Sequence, residues 1–165
     1  MTIALAATTA WLCATTALPA QSAPTIQSLL ACPFAHAEVE TALSMKLEKG
    51  QAADMRFPDR RDVGCMHVVK GSSAVFAVRQ TWDPSIPTAP GGASVGIRAA
   101  PTPLEPGATA IAGDPDRASW KEDAAGDGGE LIYTRGKVRT RVMLHGGILT
   151  SADAQRILLQ LRRVP

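Results

Sequence analysis

The sequence contains no asparagine, and therefore no acceptor for N-linked glycosylation. Aromatic residues are scarce: one tyrosine, three tryptophans and three phenylalanines make 4% of 165 residues, so a core must be built mainly from aliphatic side chains. Charge of one sign is also lacking. Seventeen Lys+Arg against fifteen Asp+Glu leave a formal +2, too small an excess for the electrostatic footprint of a nucleic-acid binder, so no nucleic-acid partner is expected. A charged fraction of 19% beside 45% hydrophobic residues excludes a disordered polyelectrolyte. The glycines at 126, 128, 129 and 136 satisfy neither a dinucleotide fingerprint nor a phosphate loop, because the following helix and the Lys-Ser/Thr terminus are missing. No solenoid-period repeat occurs. What remains is a length that suits one domain with a core of its own.

The longest stretch without charge is the first. From Thr2 to Ala23 no side chain is charged, and Ile3, Leu5, Trp11, Leu12 and Leu18 lie among alanines and threonines. Residues 1–20 read as a signal peptide: Ala17-Leu18-Pro19-Ala20 combines a helix break with small residues, so cleavage is expected after Ala20, with Ala23 the second choice. The threonines dilute the apolar run and Pro19 ends it, which argues against a retained membrane span. Bulky Trp11 and Leu12 before Cys13 argue against lipidation. The expectation is a periplasmic or secreted bacterial protein whose residues 21–165 form a single domain.

Removal of Cys13 with the signal leaves Cys32 and Cys65 in an oxidising compartment, where one disulfide is the natural reading. It would close a loop of about 34 residues and contribute about 3–4 kcal/mol through chain entropy. The competing reading is a metal site, since His36 lies four residues after Cys32 and His67 two after Cys65. A bridge would bring both histidines toward one another. Structural zinc sites, however, normally use a cysteine pair followed by a histidine pair, and here the residues interleave.

Along the mature chain, Ile26, Leu29 and Leu30 suggest a helical turn or two before Cys32-Pro33, and Phe34, Val39 and Leu43 mark the apolar stripe of a helix from about 34 to 44. Residues 54–62, with Pro58, read as a loop. Val63–Val69 and Ala74–Trp82 form a hairpin across Lys70-Gly71-Ser72-Ser73. Residues 83–113 carry six prolines and form a long Pro/Gly-rich loop, with a short strand expected only at 94–99. A short strand at 117–122 precedes a second hairpin, Glu130–Thr134 and Val138–His145, with Arg139 and Arg141 outward. Thr150 caps a final helix whose buried face is Ala154, Ile157, Leu158 and Leu161, with Arg156, Arg162 and Arg163 toward its C-terminal end.

This order predicts an α+β fold: an antiparallel sheet built from two hairpins, with N-terminal and C-terminal helices packed on one face and one disulfide. The run Ala31-Cys32-Pro33, Ala37-Glu38-Val39 to Ala42-Leu43, Gly64-Cys65, and Glu130-Leu131-Ile132-Tyr133 through Gly136 to Val138, followed by the terminal helix, resembles a family of small secreted bacterial domains of unknown function, many of them lipoproteins. The resemblance implies a fold similar to the photosystem subunit PsbP and a helix-to-hairpin disulfide at Cys32 and Cys65. It implies no catalytic residues.

Candidate chemistry is thin. Gly92-Ala93-Ser94-Val95-Gly96 has the spacing of a nucleophile elbow and His145-Gly146-Gly147 that of an oxyanion motif, but prolines replace the helix that should follow Ser94 and the order of the two motifs is reversed. A triad of Ser94, His145 and Asp114 has only formal standing. The carboxylate pairs Asp114/Asp116 and Glu122/Asp123 sit in turn-rich segments. Arg135, Lys137, Arg139 and Arg141 form a cationic hairpin edge: solubilising charge on the bland reading, a docking surface for an acidic partner protein on the sharper one. The expected function is a non-enzymatic binding or accessory module, of inhibitor or immunity type, contacting a partner in the bacterial envelope and holding no cofactor. The alternatives are a small periplasmic hydrolase and a metal carrier using His36 and His67.

Overall fold

The computed structural model describes residues 29–86, 103–161, 163 and 164. The expected signal peptide, the strand at 94–99 and Ser94 lie outside these residues.

Alternation of apolar and polar positions shapes the strands. In β2 (Arg61–Val68), β3 (Val75–Trp82), β6 (Gly129–Arg135) and β7 (Val138–His145) the buried side chains recur at every second residue over much of each strand. Ser72 closes the β2–β3 connection by accepting a hydrogen bond from the Ala74 amide at 3.1 Å. Gly136, at φ 56°, supplies the first position of a two-residue turn between β6 and β7, a backbone region that a side chain at this position would strain. Three shorter or more exposed strands, β1 (Gln51–Arg56), β4 (Ala108–Ala110) and β5 (Ser119–Glu122), complete one antiparallel sheet of order β1-β2-β3-β7-β6-β5-β4.

The fold class expected from sequence is corrected by this sheet. Seven strands dominate the described chain, and its only helices are α1 (His36–Leu43, 8 residues) and α2 (Ser151–Gln160, 10 residues). The two hairpins are parts of a larger sheet, to which β1 adds a strand where a loop was expected. Leu29 and Leu30 are not helical.

Register explains why one face is the core. Cys65, Val78, Val142, Leu131 and Trp120 are successive cross-strand partners over five strands, and all five are buried. Val39 and Leu43 of α1 and Ala154, Ile157 and Leu158 of α2 pack into the same cluster. Phe76, Leu131, Leu144 and Leu158 are almost wholly removed from water, each burial stabilising by about 1.5–3 kcal/mol. The N-terminus of α2 is set by Thr150, whose hydroxyl accepts from the Asp153 amide at 3.2 Å, and by Trp120, whose indole N–H donates to Ser151 at 3.1 Å. At its other end Leu161 leaves the helix. Arg163 then turns back to Asp114 instead of serving the helix dipole, and no basic residue stands in the last turn of α2.

Candidate functional site

The disulfide Cys32–Cys65 joins the approach to α1 with the middle of β2, and among the described residues it anchors a group of potential metal ligands. A disulfide is consistent with an oxidising compartment. Alternation along β2 puts His67 on the buried face beside Cys65, with its Nε2 3.2 Å from Cys65 Sγ. Its Nδ1 lies 3.4 Å from the Glu48 carbonyl oxygen. Gly50 makes room for this imidazole: a Cβ there would collide with its Cε1. His36, in the first turn of α1, brings its ring centroid to 5.2 Å from that of His67, and Phe76 closes the other side at 6.3 Å. Sequence spacing thus pointed correctly to a convergence of the two cysteines and two histidines. Cys32, Cys65 and His67 have ligand atoms all within 4.8 Å of one another. His36 instead turns its Nε2 to Glu40, 3.4 Å away; Glu40 is held below the ordinary carboxylate range first by the Leu47 amide and then by Lys46.

The four basic residues of the expected cationic edge are distributed over two sides of the sheet. Arg135 donates to Asp116 at 3.0 Å and to the Arg163 carbonyl at 3.2 Å. Lys137 donates to the Pro84 carbonyl at 2.7 Å. Arg139 and Arg141 stand on the face away from the helices, where Glu105 neutralises both and Glu130 pairs with Arg141 at 3.3 Å. Cross-strand pairing sets Arg79 directly opposite Arg141, and the repulsion is relieved because Arg79 donates to the buried Asp62 at 2.9 Å.

No family model, curated protein or solved structure matches this chain.

Three of the four carboxylates considered for acid–base chemistry, Asp114, Asp116 and Asp123, have structural partners. Asp114 pairs with Arg163 and also accepts from the Asp116 amide at 2.9 Å and the Ala118 amide at 3.1 Å, while Asp116 holds Arg135. His145 pairs with Asp123, not Asp114: its Nδ1 lies 3.1 Å from Asp123 Oδ2, and this hydrogen bond is the main cause of a carboxyl held below its ordinary range. Sequence reasoning missed Glu48, Gly50 and Glu105, because each acts on a residue distant in the chain.

The sheet face away from the helices has one further feature. Met55 and Met66 of β1 and β2 and Phe57 just beyond β1 are exposed, and Arg60 lies over the Phe57 ring at 4.8 Å. Every residue of β1 is exposed, and among the described residues no strand pairs with its outer edge. Between α1 and α2 lies an open groove of about 630 Å³, bordered by Glu38, Thr41, Arg156 and Gln160. No helix among the described residues is long and apolar enough to cross a membrane.

Proposed function

We propose that the chain is a periplasmic or secreted, non-enzymatic binding module that contacts a partner protein, of inhibitor or immunity type, through β1 and β2 on the sheet face away from the helices. The observation that carries this reading is the exposure of Met55, Phe57 and Met66 along a strand edge that no strand among the described residues pairs. Exposed edges are normally blunted by brevity, proline, bulges or charge, and at the opposite end of the sheet β4 is only three residues long. The six residues of β1 carry two charges, and Asp54 is already neutralised by Arg61 at 2.9 Å. Such an edge offers backbone hydrogen bonds to an extended segment, with methionines to pack against it and arginines at the rim. Arg139 and Arg141, engaged by Glu105, hold the 103–107 segment rather than facing a partner directly.

The test is capture from envelope extracts by immobilised mature protein, run beside a Met55→Lys/Met66→Lys variant of unchanged thermal midpoint. The binding module retains a specific protein that the variant loses. Identical retention by both forms would place the contact elsewhere and reject the surface.

A further inference from the structure

We propose that two-electron reduction of Cys32–Cys65 opens a site for a thiolate-preferring d¹⁰ cation such as Zn²⁺, ligated by both cysteine sulfurs and His67 Nε2. The geometry that points to it is the frustration of His67. A neutral imidazole has one N–H. If Nδ1 carries it, the ring donates to the Glu48 carbonyl and turns a bare, buried Nε2 toward Cys65 Sγ. If Nε2 carries it, the proton meets a weak sulfur acceptor and bare Nδ1 faces a carbonyl oxygen. The carbonyl is much the better acceptor, so the first tautomer prevails. That arrangement is the one metal-ligating histidines adopt: one nitrogen oriented by a backbone carbonyl, the other presenting its lone pair. His67 is only 6% exposed, and Gly50 fixes its ring plane.

The oxidised form has no anionic ligand to offer, because both sulfurs are in the bridge. Access is asymmetric: Cys32 is exposed and Cys65 buried. A dithiol reductant therefore attacks the Cys32 sulfur; the S–S bond breaks with its electron pair going to Cys65 sulfur, which takes a proton. The second thiol of the reductant then displaces Cys32 and leaves as a cyclic disulfide. Binding of Zn²⁺ releases the two thiol protons, while His67 contributes a lone pair without proton change. Three ligand atoms within 4.8 Å of one another need only small side-chain rotations to surround one ion, and zinc bonds of about 2.0–2.3 Å fit that span. His36, beside His67, is the nearest source of a fourth ligand and would have to leave Glu40.

The experiment uses mature protein reduced by a trialkylphosphine, which takes an oxygen from water, leaves as its oxide and brings no competing thiol. Zinc is titrated against a chromophoric chelator, and Co²⁺ is used as a spectroscopic substitute. The reduced wild type should take up one ion per chain and show thiolate-to-cobalt charge-transfer bands, whereas the oxidised protein should show neither. His67→Gln should weaken zinc binding at least on the order of tenfold, the lower end of what even an outer partner of a ligand contributes. If reduction unfolds the chain, zinc should restore the native circular dichroism of the wild type and fail to restore that of His67→Gln. Absence of stoichiometric uptake, equal affinity in His67→Gln, or failure of zinc to refold a reduced wild type would each overturn the proposal.

Discussion

Replacing Cys32 and Cys65 together by alanine should remove about 4 kcal/mol of stability. The bridge spans a sequence separation of 33, and restricting an unfolded chain over that distance is worth about 3.7 kcal/mol at 25 °C in the chain-entropy relation. Native packing adds a smaller part. Cys65 is 4% exposed and sits across from buried Val78, with exposed Ala52 on its other side, so loss of its sulfur leaves a void costing up to about 1 kcal/mol, while exposed Cys32 leaves none. Alanine is the right substituent, because a serine hydroxyl at 65 would donate to His67 Nε2 and repair a contact while breaking the bridge. Urea melts of oxidised wild type and the double variant at one pH read the difference, and the thermal midpoint should fall on the order of 10 °C. Metal-free reduced wild type should melt close to the variant. A loss below about 1 kcal/mol would refute the reasoning, because it would mean that the unfolded chain is already confined without the crosslink.

Tyr133 is the only tyrosine, so ultraviolet titration reads it alone; burial, the main influence, pushes its phenol above the ordinary value of 10.0, and phenolate absorbance should appear later than for a free tyrosine unless the chain unfolds first. Tyr133→Phe leaves the buried Val164 amide, now 3.0 Å from the phenol oxygen, without an acceptor and should cost about 1–3 kcal/mol in a denaturant melt; no change would show that water replaces the phenol. The Arg61 hydrogen bond holds the Asp54 carboxyl at about 2, against an ordinary 3.8. A carboxyl depressed in the folded state stabilises fully above its unfolded value and loses that contribution as pH falls toward the folded one. The thermal midpoint of Asp54→Asn should therefore fall less than that of wild type as pH drops from 3.8 toward 2, and parallel curves would count against the ion pair. Gly50→Ala should lower the midpoint, because the new methyl meets the His67 ring; a shift of about 1–3 kcal/mol is the usual cost of overpacking.

Period-two alternation is a local signal, and it suffices for β2, β3, β6 and β7 because each sends one set of side chains into the core. β1 gives no such signal. Its residues Gln-Ala-Ala-Asp-Met-Arg are all exposed, and its pairing with β2 rests on backbone hydrogen bonds that leave no pattern in composition. β4 has three residues, too few for alternation to register. The candidate site divides in the same way. The bridge follows from a count of cysteines, and the approach of His36 to His67 from spacing along a helix and a strand. The partners of the charged residues do not. Arg163 reaches Asp114 across 49 residues and Arg141 reaches Glu105 across 36, distances over which spacing carries no information about contact.

The buried polar residues of the covered face separate structural choices from chemical ones. Gln80 and Thr140 lie opposite each other on β3 and β7, and the Gln80 amide donates to the Thr140 hydroxyl at 3.4 Å, so a polar side chain faces a polar side chain within the sheet. His67 faces Phe76 instead. It occupies an apolar row with Phe76 and Leu144, where a leucine would satisfy the pattern without any polar atom to accommodate, and it requires a glycine at 50 to fit. Departures from the local rule that bring no compensating stability mark places where chemistry outranks packing. The imidazole at 67 gains a long bond to Glu48 and a sulfur neighbour, both weak returns for burying a polar ring in the oxidised protein. The same ring becomes a fully matched ligand once two thiolates stand beside it. The buried imidazole at 67 and the group of metal-ligating atoms found among the described residues, Cys32, Cys65 and His67, therefore share one explanation in the proposed site.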